Sequence, residues 1–195
     1  NRVMIHSSAS IESAVLMLAC ARLGIHFSVI FEELEFLGIK NRIKLFKPDI
    51  FFSRLFKKEF KNKIGFNKND NIKYIFGEEL KRMMNKTKNT KIIKEKFFNS
   101  SKSLFTLFTS GSTGAPKGVT HSTGGYLLYS KLTCEKQFGM NQNSIVLTAS
   151  DAGWINGHTY SLFGPLSLGS TTVLIEKPIS LIDEAFFKKL LNLKI

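Results

Sequence analysis

A chain of 195 residues with 43% apolar content can bury one good core, and a net charge of +13 sets it apart from acidic, solvating sequences. No run of 18 apolar residues occurs in it, which excludes a membrane-spanning helix from this stretch. Its two cysteines form neither a disulfide framework nor a metal-ligand spacing and fit a reducing compartment, the cytoplasm or the mitochondrial matrix.

Val3–His6 reads as a strand. Ser10 is placed to cap a helix over Glu12–Leu23, with apolar positions at Val15, Leu18 and Ala19 and a stop at Gly24. Ile25–Phe31 is a β-type run, Leu34–Leu45 a second helix, and Asp49–Ser53 a third strand after Pro48. Strands and helices alternating at this spacing predict an α/β fold, a mostly parallel sheet with covering helices. From Arg54 to Ser103 the period weakens. A helix over Glu78–Asn85 is the one element read there, and the remainder, lysine-rich with Asn, Ile and Phe, is expected to be surface or insertion-like. Much of the positive charge lies in this stretch, without a nucleic-acid motif beside it, so neither nucleic acid nor membrane is expected as a partner. Order returns with a strand at 104–108, a helix over Tyr126–Phe138, a strand over Ile145–Ala149, a buried helix over Tyr160–Leu168 bent at Gly164-Pro165, a strand over Thr171–Glu176 and a last helix over Leu181–Leu193.

The strand at 104–108 runs into Thr109-Ser-Gly-Ser-Thr-Gly-Ala-Pro-Lys-Gly118. Small residues let backbone N–H groups converge on an anion. The hydroxyls of Thr109, Ser110, Ser112 and Thr113 add donors, and Lys117 adds charge. A polyphosphate is the natural ligand. The second glycine of a Walker A loop would fall on Pro116, so that pattern fails, and a dinucleotide Gly-x-Gly-x-x-Gly is absent. By composition alone, a flexible Ser/Gly connection stays open.

This stretch resembles the phosphate-binding signature of the adenylate-forming acyl-CoA synthetases. His121-Ser-Thr-Gly-Gly-Tyr126 and Ser150-Asp-Ala-Gly-Trp-Ile-Asn-Gly-His-Thr-Tyr160, leading into Phe163-Gly-Pro-Leu166, resemble the short-chain branch, the acetyl-CoA synthetases and their propionyl-CoA relatives. The match is dense from about Leu104 to Glu176 and looser from Arg2 to Ser53. The resemblance implies part of a large N-terminal AMP-binding domain and two half-reactions. A carboxylate attacks ATP to give acyl-adenylate and pyrophosphate, and the CoA thiol then displaces AMP. It assigns Thr109, Ser110, Gly111, Ser112, Thr113, Gly114 and Lys117 to the ATP phosphates, with Mg2+ sharing their charge. It assigns Trp154, Ile155 and Asn156 to the acyl and thiol side. No residue here is assigned as catalytic acid, base or metal ligand, and His158 reads as a structural histidine and Asp151 as a turn cap.

Three departures stand out. Asn156 occupies a position where threonine is common in the acetate enzymes. The family's Gly-Gly-Phe after the second strand is Glu32-Glu33-Leu34 here. The stretch that holds the CoA nucleotide phosphate with arginine falls near 58–62 and reads Lys58-Glu-Phe-Lys-Asn62. The family's adenine-binding segment, ribose-binding aspartate and adenylation lysine come later in its chain. The sequence therefore reads as a piece of a longer protein, expected not to complete catalysis alone. Acetate is the expected substrate with propionate as the alternative, and a decayed, non-catalytic homologue is the alternative from another class.

Overall fold

The computed structural model describes residues 1–63, 71–86, 92–110, 115–176 and 184–192. Six strands make the main sheet: β1 (Arg2–His6), β2 (His26–Ile30), β3 (Ile50–Ser53), β4 (Lys73–Phe76), β5 (Ser103–Ser110) and β6 (Pro116–Ser122). Their order is β4-β3-β1-β2-β5-β6. All neighbours are parallel except β5 and β6, which form an antiparallel hairpin. A second, two-stranded parallel sheet pairs β7 (Ile145–Leu147) with β8 (Thr171–Val173). The helices are α1 (Ile11–Leu23), α2 (Phe36–Phe46), α3 (Lys57–Lys63), α4 (Gly77–Lys86), α5 (Thr123–Phe138), α6 (Ile155–His158), α7 (Gly164–Ser167) and α8 (Glu184–Asn192). The predicted mostly parallel α/β architecture is what the chain adopts.

The central strands are buried on both faces and mostly apolar, with His6, Ser28 and Ser53 as their buried polar residues. Successive strand residues point to opposite faces, and the buried pairs Met4/Ile5 and Phe51/Phe52 divide accordingly between two cores. Ile5 and Phe52 join Phe27, Leu104 and Phe105 on one side, while Met4 and Phe51 join Ile30, Ile39, Phe60 and Phe76 on the other.

Local chemistry sets α1 as expected. The Ser10 hydroxyl accepts the Ser13 N–H at 3.2 Å, the Ser13 hydroxyl accepts the Ser10 N–H at 3.0 Å, and Gly24 closes the helix at φ 63°.

The stretch 54–103 corrects the reading of it as surface or insertion. Beyond the expected α4 it supplies α3 and β4, and Phe60, Phe76 and Leu80 are core residues. Single aromatics between lysines carry no period, and β4 is only four residues long. The hairpin strand β6 also went unread, since Pro116-Lys-Gly118 looks like loop. Gly164-Pro165 proves to be no break. A π turn over Thr159–Phe163 feeds straight into α7, and the Tyr160 and Ser161 carbonyls, upstream of the N–H that Pro165 lacks, accept from the Thr148 hydroxyl at 2.9 Å and the Thr172 hydroxyl at 2.7 Å.

Candidate active site

Since β1, β2, β3 and β5 run parallel, their carboxyl ends lie along one edge of the sheet, where α/β folds place ligands. The Ser/Gly stretch leaves from that edge. The hairpin register pairs Ser110 with Pro116 and sets Thr109 opposite Lys117, whose carbonyl the Thr109 hydroxyl approaches at 3.5 Å. Lys117 is exposed on β6. Gly111, Ser112, Thr113 and Gly114 lie outside the described residues.

Beyond the end of β7 a cavity of about 530 Å³ opens. Phe31, Leu34, Ala149, Trp154 and Ile175 give it apolar walls, while Glu33, Glu35, Asp151 and Glu176 give it acidic ones. Trp154 leans on Phe31, with ring centroids 5.4 Å apart, and stays 57% exposed, so it belongs to the cavity wall and not to a core. Asp151 caps the turn before it, its carboxylate accepting the Gly153 N–H at 2.7 Å. Burial raises the Asp151 pKa above the usual carboxylate range, and the charges of Glu33 and Glu32 push the same way.

The three residues assigned to the acyl and thiol side part company. Trp154 faces this cavity. Ile155 lines a separate one of about 380 Å³, beside His121, Tyr126 and Thr159. Asn156 is exposed. Successive helical positions diverge by about 100°, and α6 starts at Ile155.

His158 is structural, as expected. Fully buried, it bonds through Nδ1 to the Trp154 carbonyl at 3.2 Å, stacks on Phe27 and lies 4.6 Å from the Phe105 ring centroid. Nδ1 must carry the proton to donate to that carbonyl. Nε2, unpartnered among the described residues, then stays bare. Burial pushes the pKa down to about 3 from an ordinary 6.5. Between those values the unfolded chain binds a proton that the folded chain refuses. His158 therefore favours the fold fully above pH 6.5, and that contribution drains away as pH falls toward 3. Acid unfolding of His158→Gln, compared with the parent over this window, is expected to lack a slope of about 1.4 kcal/mol per pH unit. Parallel curves would show that His158 is already charged in the fold.

Sequence reading missed the charged side chains at the strand ends. Arg54, directly after β3, donates to the Ser8 hydroxyl at 2.8 Å, reaches Glu32 at 3.4 Å and pairs closely with Glu176. These partners are 46, 22 and 122 residues away in the chain, beyond any local pattern. The available signal was Glu32-Glu33 standing where the resembling family has two glycines.

The family model for AMP-binding enzymes matches residues 1–195. The chain belongs to the AMP-binding enzyme family. Among curated relatives, acetyl-coenzyme A synthetase of Helicobacter pylori (strain P12) is 34% identical over 208 aligned positions, covering 94% of this chain and 31% of that protein. Acetyl-coenzyme A synthetase 2 of Kluyveromyces lactis is 56% identical over 78 residues, 40% of this chain and 11% of its own length. The chain thus spans about a third or less of the relatives it matches. A solved structure, ATP-bound MatB from Rhodopseudomonas palustris, superposes on 99% of this chain and 37% of its own, with a TM-score of 0.79 at 18% identity. At that identity the likeness speaks for the AMP-binding fold alone.

Proposed function

We propose that the whole protein is an AMP-forming acid–CoA ligase. It activates a short-chain carboxylate, acetate foremost, to an acyl-adenylate and then to the CoA thioester. The observation that carries the reading is the run Thr109–Gly118 in an AMP-binding chain, with its described ends, Thr109–Ser110 and Pro116–Gly118, paired antiparallel at the carboxyl end of β5. Thr109, Ser110, Gly111, Ser112, Thr113, Gly114 and Lys117 would meet the ATP phosphates. Hydroxyls, N–H groups and one ammonium supply what pyrophosphate departure requires, positioning and charge stabilisation. Mg2+ would arrive with ATP as part of the substrate and share the phosphate charge. Trp154 and the apolar walls beside it suit an acyl chain and a thiol arm. No helix among the described residues is long and apolar enough to cross a membrane. ATP, a short carboxylate and CoA are the partners of this reading, in the cytoplasm or the mitochondrial matrix.

Acetate-dependent exchange of labelled pyrophosphate into ATP, measured on the whole protein, tests it. Exchange is expected, and Lys117→Ala should lower it by about 10²–10³-fold, the usual effect of removing one charge-stabilising donor. Propionate in place of acetate should change kcat/KM by about 10- to 200-fold, the worth of one methylene, in the direction that names the substrate. A non-catalytic homologue is favoured by one observation, the acidic Glu33 in the cavity wall. ATP binding without exchange on any carboxylate would decide for it.

A further inference from the structure

Two strand-end loops and one distant segment converge on a single guanidinium, itself carried on a third strand-end loop. Ser8 follows β1, Glu32 follows β2, Arg54 follows β3, and Glu176 lies three residues beyond β8 in the other sheet. Glu32 also accepts the Ser8 N–H at 3.3 Å, so Arg54 closes a network already joined at its base. The cluster is only partly exposed, with side-chain exposures of 26% for Arg54, 24% for Glu32 and 46% for Glu176. Two of its neighbours, Glu33 and Ile175, line the 530 Å³ cavity together with Glu176 itself and Trp154.

We propose that Arg54 is a positioning residue for this cavity: it clamps the Glu176 segment against the carboxyl edge of the main sheet and so fixes the cavity's outer wall. The physical case is one of charge. Glu32 and Glu176 share one guanidinium, and without it two carboxylates would be left facing each other in a half-shielded place. Separation is the cheapest response, and the movable member is Glu176, the more exposed of the two, while Glu32 is tied to Ser8. Its retreat would draw Ile175 away from the cavity that Trp154 also lines. A planar fork that reaches several acceptors at once is something arginine offers and lysine does not.

The size discrimination made by this wall rests on the ligase reading. The wall's position does not, and two measurements separate them. Trp154 is the one tryptophan of the chain, so its emission and acrylamide quenching report on the cavity directly. Arg54→Gln is expected to make Trp154 more quenchable, Arg54→Lys to fall between it and the parent, and Glu176→Gln to repeat the effect without touching the arginine. In the whole protein, the kcat/KM ratio for two acids differing by one methylene, about 10- to 200-fold in a shaped pocket, should collapse toward unity in Arg54→Gln. A loss of folded protein alone would lower both acids equally and leave the ratio intact. Unchanged quenching in both folded variants overturns the clamp, and an unchanged ratio in an active Arg54→Gln enzyme whose Trp154 has become more quenchable overturns the wall's part in size discrimination. Absence of activity in the parent would sink the ligase reading and leave the quenching comparison to decide for Arg54.

Discussion

Replacing Phe105 by alanine is expected to remove about 3–5 kcal/mol of stability, the usual cost of emptying a buried phenylalanine site. The ring is fully buried at the middle of the core. Its centroid lies 5.6 Å from that of Phe27, 4.8 Å from His121, 4.7 Å from Tyr126 and 4.6 Å from His158. These partners come from β2, β6, α5 and α6, so no single element can move in to refill the space. The Tyr126 contact is edge-to-face at 89°, the arrangement in which ring quadrupoles attract. A loss of this size takes a large share of a domain's usual stability, so urea unfolding should show a much lower midpoint at nearly unchanged slope. Phe105→Leu, which keeps most of the volume, should recover the larger part. A Phe105→Ala midpoint close to the parent's would mean that the core collapses around the gap and that the four ring contacts carry little.

Gly157→Ala is the second change of large expected effect, and it acts through space, with no unusual backbone angle involved. A methyl on Gly157 would land on the carbonyl oxygen of Asp151, with the carbonyl carbon at 2.8 Å and the Ala152 Cα at 3.2 Å. All three obstacles are backbone, so no side chain can swing aside. The turn 151–154 must shift, and it carries Trp154 and the Asp151 carboxylate, both in the cavity wall. Overpacking of this kind costs about 1–3 kcal/mol. A wall displaced by about 1 Å can lower turnover by about 100-fold. The expected signature is therefore a modest drop in melting temperature beside a disproportionate loss of pyrophosphate exchange. Equal and small losses in both would show that the turn yields freely and that the position of Trp154 matters little.

The fold could be read from the sequence wherever one period dominated. β1, β2, α2 and β3 follow from their apolar residues and α1 from its caps, Ser10 and Gly24, but the apolar positions read for α1, Val15, Leu18 and Ala19, are exposed, and Met17 and Cys20 face the core instead. α3, β4 and β6 could not be read. Phe60 and Phe76 are core residues set among lysines, and the pairing of Lys117 with Thr109 depends on a hairpin whose strands hold glycine and proline. The same divide runs through the site. The hydroxyl-rich run and Trp154 announce themselves by residue type. Arg54 does not, since a single arginine after a strand gains meaning only when Glu32 and Glu176 arrive from elsewhere. Ile155 shows the opposite hazard: the resemblance groups it with Trp154, and one helical step turns it toward another cavity.

The placement of β5 beside β2 has a consequence for how the chain comes into being. His26 and Thr106, 80 residues apart, bond across these two strands at 2.9 Å. At ribosomal speed, about 5–20 residues per second, β2 emerges on the order of ten seconds before its neighbour. Helices and early strand pairs form within microseconds to milliseconds, so β1, β2 and β3 can assemble long before β5 exists. Throughout that interval Phe27 presents a bare aromatic face and β2 an unpaired edge, an invitation to association between nascent chains. The newborn protein should thus depend on a chaperone able to hold this half-built sheet, and that dependence should end once Phe105 has cleared the exit tunnel.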